Sequence, residues 1–396
     1  MSTAAVGGPA RQESLRHRNL GLVLRHVVDA PRPVSRADVA AATGLTRATV
    51  SALVDRLVEA RLLAELAPVA AQRAGRPAVP LVPSGGVVGV GLEVNVDYLG
   101  VRVLDLAGTV LAEEVRHGDF RRSDPADVLR ALAALERDVV GPVRAGGVTV
   151  AGSALALPGL VDRITGPLRV APNLGWRDVD VLALLAGHEA SDGVLAPWLG
   201  NEANLAARAE ARARRETGPS SFVYVSGEVG IGAAIVLDGA IFPGRHGWSG
   251  EIGHTVVDLA GGVTLESLAG QDAILARAGL PRESPVRALC DAADAGDAQV
   301  LEALAVAGRA LGVALANVVN IVDVEEVVLG GTHAVLAEHL RAPLEDALAR
   351  HVIAAPWAPV EVVVAQAGAF PALTGAALAV LQAVVDDPVA SGVAVG

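Results

Sequence analysis

Lysine is absent from this chain of 396 residues, so all 32 of its basic side chains are arginine. The bias is one of composition, and no function attaches to it. Cysteine is almost absent too. Cys290 stands alone and cannot close an internal disulfide, so a reducing, cytosolic setting is expected. Aromatic residues make up 3% of the chain, and a hydrophobic fraction of 52% is carried by Ala, Val and Leu. The N-terminal MSTAAVGGPARQESLRHR has no apolar core of the signal-peptide kind. The one charge-free stretch of membrane-like length, residues 362–385, is interrupted by Pro371, Thr374, glycines and glutamines. It reads as a buried strand followed by a buried helix, and no membrane partner is expected.

What is present is unevenly charged. Residues 1–83 carry 11 arginines against 6 acids, a net of +5 within an overall −12, so the remainder carries −17. A basic first segment on an acidic body suggests one domain for a polyanion and another for a different ligand. The length allows two or three domains.

Residues 12–30 place Leu15, Leu22, Val23, His26 and Val27 at helical spacing, and Pro31 and Pro33 stop that helix. Ser35 and Asp38 form a capping-box pattern ahead of a short helix over 35–42. Gly44 sits at a sharp turn, and Thr46 caps a third helix with Val50, Leu53, Val54 and Leu57 on one face. This is a helix-turn-helix, whose second helix enters the major groove. Thr46, Arg47, Thr49 and Ser51 are its expected DNA-facing residues, Arg47 reading a guanine edge. Apolar runs at 62–66 and 79–82 flank AAQRAGRPA and read as a wing, with Arg73 and Arg76 at its tip for a minor groove. A winged helix can also serve as a protein-interaction module. Double-stranded DNA is the partner expected here.

Residues 83–86 read as a short linker. Strand-like runs follow at 87–94, 98–104 and 109–115, then a helix near 125–140 and a strand at 148–157. A similar order recurs with strands at 222–226 and 232–237, a mostly helical 265–320, and strands at 326–329 and 360–365. Two α/β lobes of ribonuclease-H-like, actin-like kind, with a ligand cleft between them, follow from that repetition.

Within the body stand Ala154-Leu-Ala-Leu-Pro-Gly159, Ala171-Pro172-Asn173, Asn201-Glu202-Ala203-Asn204, a glycine loop at 227–232, Gly250-Glu251-Ile252-Gly253-His254 and Leu329-Gly330-Gly331. In this order, behind a winged helix, they resemble the ROK family of repressors and sugar kinases, in particular its repressor branch. The resemblance implies an α/β fold: an N-terminal winged helix-turn-helix (12–83), then a two-lobed actin-like ATPase (ribonuclease-H-like) ROK domain (87–388). Its lobes would span roughly 87–200 and 201–370, with a C-terminal helix at 372–385 packing back on the first lobe.

By position the resemblance implies sugar contacts for Asn173, Asn201, Glu202, Glu251, His254 and Glu266, the last through Thr264-Leu265-Glu266. Carboxylates, amides and an imidazole are suited to paired hydroxyls. Three departures from the kinase pattern argue against phosphoryl transfer. The first-hairpin phosphate loop is replaced by Glu93-Val94-Asn95-Val96-Asp97-Tyr98, Glu228 stands in the second loop where kinases carry Thr, and the catalytic Asp position is Glu202. The family's zinc ligands are missing between His254 and Glu266, so no metal and no cofactor is expected. The expectation is a sugar-responsive DNA-binding regulator that is not an enzyme, its effector a sugar or sugar phosphate, acting as a homodimer or homotetramer in the cytoplasm. The alternative is a sugar kinase with an appended DNA-binding domain.

Overall fold

A computed structural model describes residues 9–67, 79–189 and 197–393. Three helices and a small sheet come first: α1 (Pro9–Val28), β1 (Val34–Ser35), α2 (Arg36–Thr43), α3 (Arg47–Glu59), β2 (Leu63–Glu65) and β3 (Pro80–Pro83). Strand β3 lies between β1 and β2, antiparallel to both. The caps explain these boundaries. Ser35 Oγ accepts from the Asp38 N–H at 3.3 Å, and Asp38 Oδ2 accepts from the Ser35 N–H at 2.9 Å. Gly44 ends α2 at φ 71°, a left-handed conformation that side chains resist. The Thr46 side chain then accepts from Thr49 N to open α3. Arg36 pairs with Asp55 of α3 and Glu65 of β2, so one guanidinium sets the wing against the recognition helix. The wing tip, with Arg73 and Arg76, lies outside the described residues.

One expected face is corrected. Helix α1 buries Leu20, Val23, Leu24 and Val27, while Leu15 and Leu22 are 55% and 40% exposed. The reason lies at the other end of the chain, because α1 turns Gly21 toward the Asp386 carbonyl, which an added Cβ would approach to 2.8 Å.

The first lobe comprises β4 (Val87–Val94), β5 (Tyr98–Asp105), β6 (Val110–His117), α4 (Pro125–Ala145), β7 (Thr149–Leu157), β8 (Leu160–Val161), β9 (Leu168–Ala171), β10 (Trp176–Val179), α5 (Val181–Glu189), β11 (Trp198–Asn201) and α6 (Glu202–Arg214). Its main sheet runs β11-β7-β4-β5-β6, with the first three strands parallel and the last two joined as hairpins. The second lobe comprises β12 (Phe222–Gly227), β13 (Ile231–Leu237), β14 (Ala240–Ile241), β15 (Val256–Asp258), β16 (Val263–Thr264), α7 (Glu266–Ala269), α8 (Gln271–Arg277), α9 (Arg287–Asp294), α10 (Ala298–Val322), β17 (Glu326–Gly330), α11 (Gly331–Val335), α12 (Ala337–His351), β18 (Glu361–Val364) and α13 (Pro371–Asp386). Its sheet, β14-β13-β12-β17-β18, repeats the scheme of hairpins on one side and parallel strands on the other. By length and composition α10 could cross a membrane; here it packs on α12, with Leu304, Leu311 and Leu315 in the second-lobe core.

Two helices meet between the lobes. Helix α6 lies against β13 of the second sheet, α13 lies against β4, β5 and β7 of the first, and the two pack on each other. Glycine makes that approach possible. A Cβ on Gly375 would stand 1.7 Å from the Leu205 carbonyl, and one on Gly91 would stand 2.0 Å from that of Leu373. Buried Glu210 of α6 accepts from the N–H groups of Gln366 and Ala367, fixing the segment that leads into α13. At its far end α13 contributes Leu381, Val384 and Val385 to the core that encloses Leu20, Val23 and Leu24 of α1. Residues 84–86, expected as a linker, are pinned. Ser84 N–H donates to Leu62 O at 3.0 Å, and Gly86 lies so close to Arg61 that a Cβ would meet it at 2.7 Å.

Gly375→Ala is expected to cost about 1–3 kcal/mol through overpacking between α6 and α13. Urea unfolding of the full chain measures it, and an unchanged midpoint would contradict the close approach.

Candidate ligand cleft and DNA-facing helix

The cleft is built from chain reversals at the ends of strands, where backbone groups are free to face a ligand. The β4–β5 turn supplies Asn95, the end of β7 leads to Pro158 and Gly159, and Asn173 follows β9. The start of α6 supplies Asn201 and Glu202, the β12–β13 turn Glu228 and Gly230, a 3-10 turn Glu251 and His254, and the start of α7 Glu266. These surround a solvent-open space of ≈ 680 Å³. All six residues expected at a sugar site, Asn173, Asn201, Glu202, Glu251, His254 and Glu266, line this one cleft.

Their local duties differ. Glu266 Oε2 accepts from the Ile231 N–H at 3.0 Å, which leaves its other oxygen for the cleft. Gly230 lies against it, since a Cβ there would stand 2.9 Å from Glu266 Oε2 and 3.3 Å from Asn173 Nδ2. Asn201 is first of all a cap. Its Oδ1 accepts from Asn204 N–H at 3.1 Å and its Nδ2 donates to Gly159 O at 3.0 Å, so one amide hydrogen is left over. His254 is exposed and Glu251 half-buried at the mouth. Burial pushes the Glu251 carboxyl up, and the nearby His254 opposes that shift.

Sequence reasoning saw Glu93 and Glu228 as defects in two phosphate loops and missed that they join. Asn95 of the first loop donates from Nδ2 to Glu228 Oε2 of the second at 2.8 Å. Behind this bond an adjoining space of ≈ 400 Å³ is lined by Glu93, Tyr98, Glu202, Ser226 and Glu228. Glu93 is buried. Its Oε1 accepts from the Tyr98 hydroxyl at 2.7 Å, and its Oε2 has no partner. Burial, reinforced by the charge of Glu228, pushes its carboxyl up to about 8 against the pull of the Tyr98 hydrogen bond. Glu202 is raised well above the carboxyl range by burial and by Glu228, Glu93 and Glu251. Glu228 is raised by burial, with the Asn95 bond opposing. Among the described residues no arginine lines either space.

On the winged helix Thr46 and Arg47 are exposed, and Thr49 and Ser51 are half-buried in the first turns of α3. The hydroxyls of Thr46 and Thr49 stand 2.9 Å apart as part of the cap, which leaves Arg47 as the long side chain free to reach outward. Among the described residues no three His, Cys, Asp or Glu side chains form a metal-binding group, and Cys290 on α9 directs its thiol to Val335 O.

The model of the ROK family matches residues 89–383. The chain belongs to the ROK family. A MarR family model matches residues 21–74, so this ROK protein carries a MarR-like helix-turn-helix ahead of its two-lobed body. It is 26% identical over 357 residues to the xylose repressor of Caldicellulosiruptor bescii, covering 84% of this chain and 88% of that one. The crystal structure of a ROK family transcriptional regulator, a homolog of the E. coli MLC protein, superposes with a TM-score of 0.76 at 26% identity, covering 94% of this chain and 97% of that one. The ROK hexokinase of Thermus thermophilus superposes with a TM-score of 0.59 at 29% identity, covering 97% of the hexokinase and 74% of this chain.

The raised Glu93 carboxyl has a pH consequence. Its folded value of about 8 lies above the ordinary 4.5, so its contribution to stability is fully present below the ordinary value and is lost as pH rises through about 8. Calorimetric melting of the full chain should show stability falling from pH 5 to 9, and Glu93→Gln should flatten that fall. An identical slope in the variant would contradict a protonated Glu93.

Proposed function

We propose that this ROK protein is a DNA-binding transcriptional regulator, a repressor, whose operator binding is relieved by an unphosphorylated sugar in the interlobe cleft. The observation that carries the reading is the Asn95–Glu228 hydrogen bond with Glu93 buried behind it. Phosphoryl transfer depends on positioning the phosphates and neutralising their charge. Here the two loops available for that are tied to each other, and the space behind them is lined by three carboxylates. The cleft in front offers Glu202, Glu228, Glu251 and Glu266 with Asn173 and His254, a set that accepts from and donates to hydroxyls and provides no arginine to pair with a phosphate.

Helix α6 begins in the cleft with Glu202 and packs on α13, whose far end shares a core with α1. A ligand that favours one lobe arrangement shifts the population of states, and α13 carries that shift to the winged helix. The protein acts in the cytoplasm as a dimer, whose two-fold axis matches a palindromic site. Asn173, Glu251, His254 and Glu266 hold the sugar, Glu202 accepts from a hydroxyl, and Asn201 positions α6 with its one free amide hydrogen toward the ligand.

Calorimetry with xylose, glucose and N-acetylglucosamine is expected to find one that binds, and Glu251→Gln is expected to weaken it at least tenfold, about 1.4 kcal/mol. Steady γ-phosphoryl transfer from ATP that Glu202→Ala abolishes would overturn the reading in favour of a kinase. In a selection from random duplexes, Arg47→Ala is expected to lose about 1–3 kcal/mol of discrimination at one base pair. Unaltered base preference would remove Arg47 from the interface.

A further inference from the structure

A second space lies where the winged helix meets the body, independent of the cleft. Its open volume is ≈ 870 Å³. One wall is a row of arginines on α6 and its C-cap: Arg208, Arg212 and Arg215. Their spacing of four and then three residues puts them on one helix face. The opposite wall comes from α1 and α13, with Val28, Leu378 and Leu381 as apolar lining and Asp29 as the one acid. In a chain of net charge −12, this space carries three positive charges against one negative.

Arg208 is the group the fold leaves unsatisfied. Its buried Nε has no hydrogen-bond partner, and the guanidinium forms no ion pair with any described residue. Burial lowers its pKa, a destabilisation that the more distant charge of Asp386 offsets only in part. Arg212 and Arg215 are held loosely, each by the same oxygen of Asp29 at 3.7 and 3.5 Å, and Arg215 also by exposed Glu216 at 3.8 Å. Asp29 is itself mostly exposed. A half-desolvated guanidinium without a partner is costly unless an anion completes it, and arginine forks match phosphate oxygens in pairs.

We propose that this junction is a phosphate site: a phosphate dianion, free or as the monoester of a small metabolite, binds Arg208, Arg212 and Arg215 and displaces Asp29 from the latter two. The net +2 of the lining matches the dianion, and the apolar wall accommodates the ester's remainder. Asp29 directly follows α1, so the exchange replaces an ion-pair link between α1 and α6 with a bound ligand. The two spaces divide the chemistry between them. The cleft offers a phosphate no arginine, and the junction offers it three.

Equilibrium dialysis of the full chain in a phosphate-free buffer at low salt, with ³²P-labelled inorganic phosphate and, separately, labelled glucose 6-phosphate, tests this. Wild type is expected to retain at least one of them. Retention of the ester alone marks a metabolite as the occupant, and equal retention of both marks phosphate itself. The Arg208→Gln, Arg212→Gln double variant is expected to weaken retention at least tenfold. Asp29→Asn, which removes the competing carboxylate, is expected to strengthen it severalfold, a gain that no folding defect would produce. Glu251→Gln should leave retention intact, which separates this site from the cleft. Retention of neither phosphate by wild type, or retention unchanged by both the double arginine variant and Asp29→Asn, would overturn the proposal, as would its loss in Glu251→Gln.

Discussion

The close docking of α13 is the constraint on which the rest of the structure depends. One helix covers the first sheet, packs on α6 between the lobes and completes the core of the winged helix. Gly91, Gly375 and Gly21 let three backbones approach it more closely than any side chain would permit. Its entry is fixed as firmly as its faces. Phe370 precedes it in a left-handed conformation at φ 51°, with its ring edge-on to Tyr98 at 5.1 Å and its carbonyl near Arg102. Tyr98 also donates to Glu93 behind the cleft. The acidic space and the DNA-binding domain are therefore joined through one rigid element.

Charge is sorted by place. Glu93, Glu202 and Glu228 gather about the β4–β5 and β12–β13 turns, where burial and mutual repulsion favour their protonated forms. Arg214 pairs with Glu210 and Glu326 in a buried network, and Arg208, Arg212 and Arg215 line the junction.

Local chemistry was legible in the sequence, and long-range partnership was not. The capping box at Ser35 and Asp38, the left-handed Gly44 and the Thr46 cap are decided within four residues, so pattern alone located the helices that follow them. The turn motifs around Asn173, Glu202, Glu251 and Glu266 could be found one by one, and the fold brings them to one cleft. The Asn95–Glu228 bond spans 133 residues and leaves no periodic trace. The buried face of α1 was misjudged because α13, 361 residues away at the Arg25–Asp386 pair, selects it. Pinned residues 84–86 looked like a linker because glycine permits either flexibility or close approach, and composition does not distinguish the two.

The position of α13 along the chain has a consequence for biosynthesis. The winged helix leaves the ribosome first, yet the helix that seals its core is made some 361 residues later. At roughly 5–20 residues per second this is a delay of about 20–70 s. Through that interval the inner face of α1 and one face of the first sheet have no cover. A nascent or prematurely terminated chain therefore presents a DNA-binding segment without its final clamp.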